Sequence, residues 1–395
     1  MPTLVSKAAR LALCVATLSA IGVLGAVGAG ASSAADASIN AHGSVVGHVY
    51  LDDNTTGANT IGAFDRYADG SLSPVPGSPF SAGGAGTGAG LASQGAIQIS
   101  SDGHYLIAVD AGSNQISVLK IKADGALDLV PGGLVSSGGT TPVSVAVHDG
   151  LVYVANASAH DPNYTGFTLN AGGQLRPLAG STVSLPDNSE PGDVTFNSTG
   201  NILIGARVNT SEIDSFAVGA NGLLTPSADS PIPAQATGPF GSEFNPTDPS
   251  QLFVTNAHAG AGLGSVSAFS VADDGALSSI GGSPFANGQS GTCWVEISHD
   301  GKYLFAVNTG SGEISSYAIA HDGALTLLGN TPVSQSGGVG AVDARLSPDG
   351  STLYVNESRA DAVAAFSVDG GTLTELSSSP TSLPSGALPA GIVVN

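Results

Sequence analysis

The 395 residues carry 10 Lys+Arg against 31 Asp+Glu, a net charge of −21, together with 56 Gly and 22 Pro. So few cations cannot form the basic face that displaces counterions from a polyanion, which argues against nucleic acid and against an anionic membrane surface as partners. With 7 Glu, 4 Lys and one Met the chain lacks the usual surface residues of long helices, while an apolar content of 42% suffices for a sizeable core.

At the start of the chain, Lys7 and Arg10 precede an apolar run over residues 11–28 and a small-residue stretch over 29–37. This predicts a secretory signal over residues 1–35 and a short linker over 36–41, with export to the extracellular space or cell envelope. A retained membrane anchor is the competing reading, but many residues of the run are Gly, Ala or Ser. Removing the signal leaves eight basic residues against 31 acidic ones, and Cys293 alone of the two cysteines, so no internal disulfide can form.

From residue 42 onward a phrase of the type Asp/Asn-Gly-x-Leu recurs. Its leucines are Leu72, Leu127, Leu175, Leu224, Leu277, Leu325 and Leu373, spaced by 55, 48, 49, 53, 48 and 48 residues. A second phrase, Ser-x-Asp-Gly-x-x-Leu, is interleaved with it at 100–106, 298–304 and 347–353. Between the turns lie apolar runs of strand length; in the sixth unit these are 293–297, 303–307, 314–319 and 324–328. Four strands per unit and seven units predict an all-β, seven-bladed propeller of four-stranded blades over residues 42–395. The first unit has strands at 45–51, 61–67 and 71–75 but no innermost one, and the segment 389–394 resembles the start of every other unit. A C-terminal strand completing the first blade would close the ring and leave no open edge, as expected of a monomer.

The repeat phrasing, with strands such as Tyr303-Leu304-Phe305-Ala306-Val307-Asn308, resembles the seven-bladed β-propeller lactonase family of phosphogluconolactonases and carboxymuconate lactonizing enzymes. The likeness spans the whole chain after the signal. It is strongest to secreted, carboxymuconate cyclase-like members through the Gly-rich stretch 83–95 and Thr292-Cys293-Trp294-Val295. The resemblance implies hydrolysis or closure of a small lactone or carboxylate, with no cofactor. It also implies a Pro-Arg-His phrase opening one inner strand and an Asn-Glu phrase ending the next strand. The best-matching unit instead reads Pro191-Gly192-Asp193 and then Ala206-Arg207-Val208, and the Asn-Glu pair stands at Asn356-Glu357 in the last unit.

Aligned on their apolar ends, the inner strands place Ala96, Ser144, Asp193, Gly241, Trp294, Asp343 and Gly391 at one level of the central channel. Two carboxylates brought together away from water suit general acid/base chemistry, so Asp193 and Asp343 are catalytic candidates, with strand-end capping as the bland alternative. Arg207 stands where other units carry Asp110, Asn156, Asn256, Asn308 and Asn356. It is the candidate for holding a carboxylate or oxyanion, against a salt bridge to Asp193 or Glu212. Trp294, Gln94, Asn308, Asn356 and Glu357 are expected to contact substrate. The Gly-rich stretch lacks the Lys-Ser/Thr ending of a phosphate cradle and reads as a lid or a packed connection. The scattered His residues give no metal-ligand spacing, so no metal site is predicted, with calcium held by carboxylates and backbone carbonyls of the acidic channel as the weaker alternative, and few cations are available for a phosphorylated lactone. The competing function is a non-catalytic extracellular propeller that binds a sugar, peptide or envelope partner.

Overall fold

A computed structural model of the chain describes residues 43–333 and 340–395, so the expected signal and linker lie outside the described residues. Seven antiparallel sheets form the blades of a β-propeller, and no helix occurs among the described residues. In chain order the innermost strands of blades two to seven are Ile97–Ile99, Pro142–His148, Pro191–Phe196, Pro239–Asn245, Thr292–Ile297 and Ala341–Leu346. Blade one takes its innermost strand from the C-terminus: Gly391–Val394 pairs antiparallel with Val45–Asp52, Tyr50 opposite Val393 and Leu51 opposite Ile392. The ring is thus closed as the terminal repeat implies.

Blade six shows how well the apolar runs locate the strands. They run Thr292–Ile297, Tyr303–Asn308, Glu313–Ile319 and Leu325–Pro332, each within a few residues of its sequence-derived segment. Five blades add a two-residue strand beside the third one, for example Phe80–Ser81 against Thr60 and Ile61, and runs so short carry no legible periodicity.

The Asp-Gly-x-Leu phrase earns its recurrence by joining neighbouring blades. Asp124 Oδ1 accepts from the Ala126 amide at 3.2 Å, which tightens the turn, and Gly125 adopts a φ of +78° that an L side chain rarely adopts. The carbonyl of Gly125 accepts the hydroxyl of Tyr50 from the preceding blade at 3.2 Å, and that of Gly222 accepts Tyr153 at 2.8 Å. Tyr354 of the last blade bonds Gly70 of the first at 3.0 Å, so the same contact spans the seam of the ring. Burial of these rings supplies apolar packing between blades, and the turn carbonyl satisfies the polar tip.

The candidate site in the central channel

Side chains at the expected channel level are sealed from water. Ala96, Ser144, Asp193 and Asp343 are all at most 2% exposed. The cover is the segment running into the second blade, which crosses that end of the channel. The amide of Gln94 donates to Gly192 O at 3.0 Å, and its side chain reaches across to Ser242 O and to the amide of Val295 at 3.3 and 3.0 Å. The indole of Trp294 donates to Ser93 O at 2.8 Å and packs edge-on against Phe240 with centroids 5.0 Å apart. Gly241 leaves room for this plug, since a Cβ there would fall 2.1 Å from Gln94 Oε1. Of its two expected roles, the Gly-rich stretch takes the packed connection at this end.

Two residues further along the inner strands of blades two, four, five and seven the channel opens. Gln98, Thr195, Glu243 and Arg345 are half-buried, while Phe196 and the exposed Ser198 and Pro246 form the rim. Together with Asp193 and Ser242 they line a cavity of about 240 Å3. Asp193 is held by its neighbours on both sides: Ser242 donates its amide at 2.8 Å and its hydroxyl at 2.5 Å, and Ser144 donates its hydroxyl at 3.3 Å. Arg345 pairs with Glu296 at 3.0 Å, and Glu296 also accepts the Leu346 amide at 2.8 Å. Three polar atoms here have no protein partner: Glu243 Oε2, Asp343 Oδ2 and Arg345 Nε.

Burial dominates the electrostatics. It pushes Asp193 up to about 7, against the hydrogen bonds from Ser242, with the Asp343 charge adding to the rise. Asp343 is likewise pushed up to about 7 by burial, with Arg345 pulling the other way. Glu243 rises well above the ordinary carboxylate range through burial and the proximity of Glu296. For Arg345, burial alone would lower the guanidinium, but Glu296, Asp343, Glu243 and Asp193 outweigh it and raise it. One cation therefore serves four carboxyls, three of them buried and one half-buried, and acids poised near neutrality are what proton transfer at pH 7 needs.

The remaining expected residues lie elsewhere. Arg207 is buried at the end of its strand and tied to Asp214, with Nε to Oδ2 at 2.6 Å and a second bond from Nη2, and to Glu212 at 3.1 Å. Tyr164 of the preceding blade donates to the same Asp214 at 3.1 Å. Asn308 is committed within its own surroundings, donating to Ser315 Oγ at 2.9 Å and accepting from Thr292 Oγ1 at 2.6 Å. In the last blade the residue in the register of Asn308 is Glu357, which pairs with Ala362, and Asn356 precedes it by one. Glu357 is buried, both its oxygens lack a partner, and burial pushes it up to about 7. Among the described residues, no group of three or more His, Cys, Asp or Glu is arranged to hold a metal ion. Glu243, Glu296 and Arg345 were passed over in the sequence, although the alignment that picked out Asp193 places them two residues on, where strand side chains face the same way again.

A family model for the seven-bladed β-propeller lactonases matches residues 58–187 and 245–387. The chain belongs to that lactonase family. The unmatched interval, 188–244, contains Asp193 and Arg207. Among solved structures, a candidate 6-phosphogluconolactonase of Bacteroides uniformis superposes with a TM-score of 0.72 at 20% identity, covering 88% of this chain and 99% of its own. The periplasmic gluconolactonase of Pseudomonas aeruginosa superposes with a TM-score of 0.71 at 16% identity, covering 88% of this chain and 98% of its own. At such identities these likenesses speak for the fold. No curated protein matches the chain.

Proposed function

We propose that this lactonase-family propeller opens a small, unphosphorylated lactone in its central channel. The observation that carries the reading is the convergence of Asp193, Glu243 and Arg345 on one cavity, with both acids raised by burial. Asp193 serves as general base and takes a proton from the attacking water, whose oxygen bonds to the lactone carbonyl carbon. Arg345 donates to the carbonyl oxygen as it becomes an oxyanion. When the ring C–O bond breaks, Glu243, held protonated, gives its proton to the leaving alkoxide, and the products are a carboxylic acid and a hydroxyl. Asp343 and Glu296 lie behind Arg345 and keep it charged and oriented.

Family membership supports the lactone, and the gluconolactonase neighbour is consistent with an uncharged sugar lactone. Export by the N-terminal segment is part of the same proposal, as is action as a monomer on a diffusible substrate. The competing reading, a propeller that binds without turnover, is favoured by one observation: the family's inner-strand His and second-strand Glu are absent from blade four. A panel of uncharged lactones assayed by pH-stat separates the two. Ring opening above the uncatalysed rate supports the enzyme, and its absence across the panel supports the binding module. Asp193→Asn is expected to lower turnover by about 10²–10⁴-fold, the range for loss of a general base.

A further inference from the structure

We propose that the channel is a blind funnel that admits its ligand only at the mouth formed by Phe196, Ser198 and Pro246, and that this ligand is a small polyol without negative charge. The inference rests on the channel being the site proposed above and adds the route and the class of ligand.

The route follows from the gradient of burial along the inner strands. Asp193 and Asp343 are at most 2% exposed, and Gln94, Ser93 and Trp294 bond across the end of the channel. Two residues on, Gln98, Thr195, Glu243 and Arg345 are half-open, and at the rim Ser198 and Pro246 are exposed. The face that carries the loops after the second strands, Asn209 among them, is therefore the closed one, and a ligand arrives from the face of the hairpins that join inner and second strands.

The class follows from what the cavity has left to offer. Four carboxyls surround one guanidinium that is already paired with Glu296. An anionic ligand would have to give up its hydration in a site of low dielectric whose single guanidinium is already paired, with no second cation to meet it. Glu243 Oε2, a carboxyl oxygen, and Arg345 Nε, a donor, belong to residues that line the cavity and have no protein partner. A molecule with several hydroxyls and a carbonyl supplies both kinds of group, whereas an apolar one would leave them unpaired. At about 240 Å3 the cavity lies below the usual range for drug-sized ligands, which limits the occupant to about a single sugar ring.

The test is calorimetric titration of the full chain with glucono-δ-lactam, a neutral polyol that resists ring opening, and with its 6-phosphate. The lactam is expected to bind, and the phosphate at least about tenfold more weakly. Ser198→Trp and, independently, Pro246→Trp should weaken lactam binding by at least about tenfold, while Asn209→Trp on the opposite face leaves it unchanged. Equal or tighter binding of the phosphate overturns the charge class. Loss of binding in Asn209→Trp, with retention in whichever rim variant folds by circular dichroism, overturns the route. Because binding is read without turnover, lactam binding by a protein inactive on every lactone leaves this inference standing and removes the enzymatic reading. Turnover of a neutral lactone by a protein whose rim variants stay fully active does the reverse.

Discussion

Burial sets the protonation of the acids that face the channel, and the sign of its effect on stability can be worked out residue by residue. Asp193 and Asp343 are raised to about 7 in the folded protein, above an unfolded value near 4, so the folded state binds more protons between those limits. Stability therefore falls as pH rises through that window and is greatest below it, until other carboxyls begin to protonate. Urea midpoints are expected to be higher at pH 5.5 than at pH 8, with a smaller difference in the Asp193→Asn, Asp343→Asn double variant. An undiminished difference in that variant would place the linkage in other buried acids. Arg207 belongs to a different economy: it neutralises Asp214 inside blade four. Arg207→Ala strands a buried carboxylate and is expected to cost about 3–5 kcal/mol of stability, measured by urea unfolding. The companion change Asp214→Leu should restore most of it. The singularity of Arg207 among Asx residues was legible in the sequence, but its partner was not. Asp214 meets it across a hairpin whose register depends on the length of an irregular turn. Strand alternation does say that Arg345 shares a face with Asp343, and only the choice of a single level kept it out of view.

At the scale of elements, the plug and the closing strand are separable devices. Gly241→Ala would put a Cβ 2.1 Å from Gln94 Oε1 and 2.8 Å from the Cys293 carbonyl, so the Gln94 side chain must leave. The expected result is a red-shifted Trp294 emission with greater acrylamide quenching, since the indole loses its cover. An unchanged spectrum would mean that Ser93 and Phe240 hold Trp294 without help from Gln94. Trp294 is the only Trp, so the signal has one origin. Deleting residues 391–395 removes Ile392 and Val393, both buried, and bares the edge of Val45–Asp52. At about 1.5–3 kcal/mol per buried aliphatic side chain, the loss should lower the thermal midpoint markedly. A truncated chain that melts like the full one would contradict closure by this strand. The blades themselves were readable because the third strand of each ends at a Gly-centred turn whose glycine adopts a positive φ. The plug was not, because its residues follow no period and their partners lie about 100 to 200 positions away in the chain.

Across the whole molecule, the repeat explains both the fold and where a site can be built. Seven similar blades turn seven similar strands toward one axis, so a substitution at one strand level is enough to build a site there. This chain concentrates acids and one Arg at adjacent levels, while second-strand ends such as Arg207 and Asn308 are engaged within and between blades. The most direct test is the rate of ring opening of an uncharged lactone, followed by pH-stat in Asp193→Asn and in the Arg207→Ala, Asp214→Leu pair, with folding verified for both. A loss of at least about 100-fold in kcat/KM for the first, with the second within about threefold of the unmodified protein, is the expected result. An active Asp193→Asn protein, or an inactive but folded Arg207→Ala, Asp214→Leu protein, would contradict a catalytic centre in the channel.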